Sequence, residues 1–519
     1  MSIQRPDIVF LVLDTQRSDR LSCYGYPKPT SPNLDAFAAD ATLFRNAISA
    51  AQWTVPSHAS MFTGLYPSAH QVLQSYSVLP AHINTLAERL SAGGYFTAGF
   101  CNNPLVGVIN NGLRRGFYSF LNYSGLLTSR PNQAGIPSGL LDRYRQLFKR
   151  MLAGALDKVQ DSFARSELLL AFSFTPLMVP IWQTALSFKG NTTKSLDDAA
   201  RLLIDRRGLE GDRPIFTFIN LMGTHMPYHP PRSYVERFAP HVLRDKESQH
   251  YLRRFNGDIY GWLAPLAGAL DERQKATLDG MYDAEVAYQD DQIGLFLERL
   301  RQSGALDNTM VVVCSDHGEH LGEKHFIGHS ISLYNELVQV PLIIRDPGNN
   351  LTQGTTRTDV VSTRCLFHTL LAAAGLADDL EEMSSLARPP ANELEGHVFS
   401  EAIPPQNVVS LLYKRQPELV LSHACDQPRR AIWLGNHKLI ETGDTSAAAT
   451  NRLELFDFLN DPYENMNLTD ILPENVEVLQ ECLQLFAGQS TAVMSDERAP
   501  GFDDPEVQRR LRDLGYLED

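Results

Sequence analysis

Three predominantly apolar runs constrain the fold most: Ile8–Leu13 (IVFLVL), Pro214–Leu221 (PIFTFINL) and Met310–Cys314 (MVVVC). The first and last contain no polar alternation, so they are expected to be strands covered on both faces, as in a parallel sheet flanked by helices. Each run is followed by residues able to bind a metal or carry a proton: Asp14, then Gly223-Thr224-His225, then Ser315-Asp316-His317-Gly318. Open α/β sheets place their chemistry at that edge. Asn33–Ala39, Leu86–Gly93 and Ala284–Leu300 carry helical spacing, with Gly94 as a stop, and Phe96–Phe100 reads as a further strand. Strands and helices alternate, so the expected class is α/β.

A chain of 519 residues exceeds the usual ceiling for one compact core, which predicts a large domain and a smaller one. The stretch from about 376 to 400 turns acidic and contains prolines, which suits a linker, and Ala431–Leu434 and His437–Ile440 predict a small antiparallel sheet beyond it. The expected division is a catalytic domain over 1–385 and a small α+β domain over 386–519. A formal net charge of −15 argues against nucleic acid as a partner, because such affinity comes largely from basic contacts to phosphate. An anionic substrate must then be attracted locally. Six cysteines without CxxC spacing predict free thiols, and the short N-terminal apolar run predicts a first strand, so the expected location is cytoplasmic.

A helical apolar insertion is expected at about 130–195. Within it a basic amphipathic stretch from residue 143 leads into Leu168–Phe188, which has no charged residue but contains Pro176 and Pro180. Length alone admits a membrane span, whereas the prolines favour an insert packed on protein or in contact with a membrane surface or lipid-like substrate over 143–190.

Asp14 and the pair Asp316-His317 could converge on one cation, although a strand-end aspartate often does no more than cap the next helix. In WTVPSHASMFTGLYP, Thr54 or Ser57 could sit at a helix N-terminus, where the macrodipole favours a developing alkoxide; a plain cap is the alternative. His58, one turn in, could present a cation to a substrate oxyanion, although a lone histidine is more often structural. His225 lies in a Pro-rich loop that would fix its ring, which suits protonation of a leaving group, and His229 shares that loop. His317, His320, His325 and His329 crowd beside Asp316, and some of them are expected to bind metal or substrate oxygen.

In this order the motifs resemble those of the sulfatase family of the alkaline phosphatase superfamily. LVLDTQRSDRLSCYGY resembles its metal-binding first strand and TVPSHASMFTGLYPSAH its nucleophile signature; NLMGTHMPYHPP, VVVCSDHGEHLGEKHFIGH, LELFDFLNDPYENMNL and LRDLGYLED resemble later family motifs. The resemblance implies an alkaline-phosphatase-like α/β/α sandwich with a smaller C-terminal α+β domain. By motif position it makes Asp14, Asp316 and His317 metal ligands, completed by Thr54, with Thr15 a weaker ligand candidate. It also makes His225 the general acid and places His329 against the transferred group.

Two departures stand out. Sulfatases carry a Cys or Ser that becomes formylglycine where this chain has Thr54, and Arg where it has His58. Oxidation of a threonine would give a ketone, whose hydrate is disfavoured, so the usual sulfatase cycle is not expected. The Asp316-His317 pair resembles the superfamily's phosphonate and phosphodiester hydrolases and lipid-phosphate transferases. The implied cofactor is one divalent metal ion, manganese or zinc in preference to calcium, since imidazole suits the softer ions. The expected activity is hydrolysis of phosphate or phosphonate-type esters of a small or lipid-like substrate through Thr54. Sulfate-ester hydrolysis, phospho-group transfer and a non-catalytic binding module are the alternatives.

Overall fold

The computed structural model describes residues 5–75, 77–107, 110–123, 189–206, 209, 212–257, 265–390, 396–443 and 451–491. Its main sheet has eight strands: β1 (Asp7–Leu13), β2 (Thr42–Ile48), β3 (Phe96–Cys101), β4 (Ser119–Asn122), β5 (Ile215–Leu221), β6 (Thr309–Cys314) and, after the two-residue strands β7 (His320–Leu321) and β8 (Ile327–Gly328), β9 (Gln339–Arg345) and β10 (Thr355–Ser362). Their spatial order is β10-β2-β9-β6-β1-β5-β3-β4. Only β9 runs antiparallel to its neighbours, β2 and β6.

The apolar runs have the expected cause. Along β1, Val9, Leu11 and Leu13 enter one core, against helices Pro32–Ala39, Thr192–Asp205 and Glu272–Gln302. Ile8, Phe10 and Val12 enter the opposite core, against helices Thr54–Thr63, Leu86–Ala92 and Leu366–Ala373. Every residue from Ile8 to Leu13 is fully enclosed, so neither face tolerates a polar side chain. Each of these side chains contributes about 1.5–3 kcal/mol through burial. The result is an α/β/α sandwich.

Because β6, β1, β5 and β3 are adjacent and parallel, their C-terminal ends lie side by side. Val12 pairs with Cys314, Leu13 with Leu221, and Asn220 with Cys101. The residues that follow these strands are thus delivered to one edge.

A second sheet, β11 (Val398–Ala402), β12 (Arg429–Leu434), β13 (His437–Thr442) and β14 (Arg452–Asp457), is antiparallel throughout. One face, with Ala431, Trp433, Ile440 and Phe456, packs on Leu333, Leu337 and Val338. The other face is covered by Val476, Leu479 and Leu483 of helix Pro473–Thr491.

Within the stretch expected to be a linker, residues 379–383 form a short helix capped by Asp378 and Glu381. Of the expected insertion, 130–188 lies outside the described residues, including Leu168–Phe188, and residues from 192 onward belong to a sheet-packing helix. Among the described residues, no helix is long and apolar enough to cross a membrane. All six cysteines are free thiols.

Candidate active site

Asp14 follows β1 directly and its side chain is fully buried. Its Oδ2 accepts a 2.6 Å hydrogen bond from Asn103 Nδ2, delivered from the end of β3, and its carbonyl accepts one from the Thr224 hydroxyl, after β5. Among the described residues its Oδ1 has no hydrogen-bond partner. Asp316 follows β6: its Oδ1 accepts from the backbone N–H of His317 and Thr15, at 3.0 and 3.3 Å, and its Oδ2 has no partner. Thr15 adopts φ +61°, a left-handed conformation uncommon for threonine, and this aims its N–H at Asp316. The buried Thr15 hydroxyl is also unpartnered.

His317 Nδ1–H donates to the Gly318 carbonyl, which leaves the Nε2 lone pair facing the carboxylates. That nitrogen lies 3.4 Å from Asp316 Oδ2 and 4.0 Å from Asp14 Oδ1. One ligand atom from each of Asp14, Asp316 and His317 falls within 4.8 Å of the others. Burial, followed by the charge of Asp14, holds the Asp316 carboxyl well above its usual range, and burial pushes His317 well below its own. Two carboxylates face a neutral imidazole in an enclosed space with three orphaned oxygens around them. A divalent cation fits this donor set and would satisfy it.

Thr54 opens helix Thr54–Thr63, with Trp53 as an extended N-cap that supplies no side-chain cap. Its hydroxyl lies 3.2 Å from His317 Nε2, so it points into the cluster rather than capping its own helix. Ser57, considered as a cap, instead lies within the first turn and donates to the Asp316 carbonyl at 2.7 Å; Ser49 donates to the same oxygen. The Ser57 bond fastens the Thr54 helix to the end of β6, and the Ser49 bond fastens the end of β2 to the same point.

His58 requires a correction. Its ring is fully enclosed, edge-on to Phe62 and Phe218. Nδ1–H donates to the Thr54 carbonyl at 2.9 Å and Nε2 accepts from Asn220 at 3.3 Å, which fixes a neutral tautomer. Burial lowers its pKa, outweighing the charge of Asp14. The expected cation toward the substrate does not fit; His58 Nδ1 lies 3.5 Å from Asp316 Oδ2 but is bonded to the Thr54 carbonyl, so the ring supports the Thr54 backbone.

The remaining histidines divide clearly. The His329 ring lies 4.6 Å from that of His317 and 4.9 Å from that of His225, so three imidazoles line one side of the cluster. His329 Nδ1 bonds Glu319 Oε1 at 2.7 Å, and although burial opposes it, this carboxylate raises the His329 pKa. Burial, then the His329 charge, lowers His225. His320 turns away to bond Ser332 and pack on Phe326, His325 is exposed, and His229 lies on the outer part of its loop, where its backbone N–H donates to Glu285. Neither His320 nor His325 joins the cluster.

Sequence reasoning missed Asn103, Glu319 and Ser49. Glu319 sits two positions after His317 and could have been noticed there; Asn103 becomes meaningful only once β3 stands two strands from β1.

An α/β/α sandwich with a buried Asp-Asp-His cluster able to hold a cation and a hydroxyl at a helix N-terminus is the arrangement of the hydrolases of the alkaline phosphatase type. The sulfatase family model matches residues 6–376, and the chain belongs to the sulfatase family. It is similar to the arylsulfatase of Clostridium perfringens, at 25% identity over 391 residues covering 73% of this chain and 77% of that protein. It is also similar to the multifunctional alkaline phosphatase superfamily protein PehA of Trinickia caryophylli, at 24% identity covering 67% and 69%. Among solved structures, the phosphonate monoester hydrolase of Agrobacterium radiobacter superposes with a TM-score of 0.61 at 21% identity, covering 93% of this chain and 96% of that one, a likeness of fold. The protein is an ester hydrolase of the sulfatase type.

Proposed function

We propose that this enzyme hydrolyses phosphorus esters, phosphodiester or phosphonate monoester, with Thr54 as an unmodified nucleophile. The observation that carries the reading is the Thr54 hydroxyl, 3.2 Å from His317 Nε2 at the N-terminus of a helix and beside the unpartnered oxygens of Asp14 and Asp316. Asp14, Asp316 and His317 would hold a divalent cation, with the Thr15 and Thr54 hydroxyls adjacent; the imidazole favours manganese or zinc over calcium. Such an ion, when bound, supplies neutralisation of the transferred group's oxygens and acidifies a nearby hydroxyl.

Thr54 gives its proton to water and its Oγ bonds to phosphorus as the bond to the leaving oxygen breaks. His225 protonates that oxygen. The lowered pKa of His225 leaves it neutral at rest, and the negative charge of a bound substrate would restore its proton. Glu319 orients His329 so that its other nitrogen faces the transferred group. Water then attacks phosphorus and gives a proton to His225 as the bond from phosphorus to Thr54 Oγ breaks, and Thr54 takes back a proton from solvent.

Sulfate-ester hydrolysis is the second reading, favoured by the arylsulfatase relative. Chemistry weighs against it: a formylglycine hydrate can expel sulfate by breaking its own C–O bond, whereas a sulfated threonine lacks that exit. The experiment is a panel of matched aryl phosphodiester, phosphonate and sulfate esters assayed with Mn²⁺, Zn²⁺ and Ca²⁺ on the wild type and Thr54→Ala. Higher kcat/KM for the phosphorus esters, lost in Thr54→Ala, is expected; a preference for sulfate lost in the same variant would overturn the reading.

A further inference from the structure

The segment that carries His329 is held from outside the main sheet. Lys438 of β13 is fully enclosed; its ammonium donates to the Leu333 carbonyl at 2.7 Å and the Asn335 side chain at 2.9 Å, and pairs with Glu464 at 2.5 Å. Glu464 in turn accepts the Asn335 backbone N–H at 2.8 Å through its other oxygen. Arg429 of β12, also buried, donates to the Ile331 carbonyl at 2.9 Å and to the His423 and Ala424 carbonyls at 2.7 and 3.0 Å.

Strand register explains why two cations from different strands reach one segment. Lys438 pairs with Trp433, and Arg429 lies four residues before Trp433, so both side chains leave the same face of the small sheet. That face is the one packed on Leu333, Leu337 and Val338. Ile331 and Leu333 follow His329 by two and four residues. A cation buried against carbonyl oxygens is costly unless those bonds are made, so their geometry is well defined.

We propose that Arg429 and Lys438 are positioning residues: gripping the carbonyls of Ile331 and Leu333, they fix the backbone that sets His329 against His317 and His225, making the C-terminal sheet part of the catalytic apparatus. The inference rests on the reading that His329 faces the transferred group. A shift of about 1 Å in such a group can cost up to about a hundredfold in rate without touching the chemistry itself.

The test is a double-mutant cycle on aryl phosphodiester hydrolysis by the full-length, metal-loaded enzyme, comparing wild type, His329→Ala, Arg429→Gln and the double variant. Arg429→Gln should lower kcat about tenfold or more, with a smaller change in KM and unchanged metal content, and Arg429→Lys should recover part of it. In the His329→Ala background, Arg429→Gln should cost nothing further in kcat. If Arg429→Gln does not fold, the pair Lys438→Met/Glu464→Gln, which removes both members of the buried pair, enters the same cycle. Normal kcat in the folded clamp variants, or a loss that persists in full without His329, would overturn the clamp. Normal kcat in His329→Ala alone would instead remove the reading of His329 on which it rests.

Discussion

At the scale of single residues, Asn103 donates to Asp14 Oδ2 and leaves Oδ1 as the free oxygen, so Asn103→Ala should weaken metal affinity about 10–100-fold while the fold survives, measured by competition with a chelator. Nothing in the sequence marks Asn103, whose bond to Asp14 spans 89 positions, whereas Asp14, Thr54, Asp316 and His317, which the structure brings together, each stand at the end of an apolar run or in a compact signature. For His58, the sequence left a substrate contact and a structural role open, and its enclosure by Phe62 and Phe218 favours the structural one. His225 invites a different measurement, because a general acid matters most when the leaving group is basic. His225→Ala should lower kcat by about two orders of magnitude for alkyl esters and much less for activated aryl esters. Equal losses on both would argue that His225 only binds substrate.

At the scale of elements, the strands were readable from continuous hydrophobicity and the helices Pro32–Ala39 and Leu86–Ala92 to within a residue, whereas the long helix Glu272–Gln302 begins well before the expected Ala284. Pro56 sits in the first turn of the Thr54 helix, where its missing N–H is harmless, so the helix begins before Ser57. The capped helix Asp379–Met383 was hidden by acidic composition, although Asp378 and Glu381 have capping-box spacing. Just after the nucleophile helix, His70 illustrates how such an element sets pH sensitivity. It is fully buried; Nδ1 accepts from the Val72 N–H, and Nε2–H donates to Ser60. Burial lowers its pKa to about 3, so between the usual histidine value and about 3 the unfolded chain takes up a proton that the folded protein refuses. Stability contributed by neutral His70 is thus present above the unfolded value and declines as pH falls below it, with a slope approaching ~1.4 kcal/mol per pH unit. Urea denaturation at pH 7, 6 and 5 should show a shallower decline for His70→Gln than for wild type; parallel declines would contradict the assignment.

At the scale of the whole molecule, the sandwich and the small antiparallel sheet followed from the order of runs, but the contact that joins them did not. The cations Arg429 and Lys438 look like ordinary strand residues until the sheet is placed against residues 331–338. The composition of 143–190 supports a separate prediction: a basic leader followed by Leu168–Phe188, without charge, should bind anionic lipid. Flotation with anionic liposomes should carry the full chain and leave behind a version lacking those residues; equal behaviour would refute it. The central claim concerns the nucleophile, and it is tested most directly by mass. Intact-mass and peptide analysis of residue 54 should be made on the resting enzyme and after rapid quenching with an aryl phosphodiester or the matched sulfate ester. Unmodified threonine is expected at rest, with a transient phosphoryl adduct on Thr54 from the phosphodiester and a sulfated adduct that accumulates without turnover. A converted residue 54 at rest, or rapid turnover of the sulfate ester without an accumulating adduct, would contradict the claim.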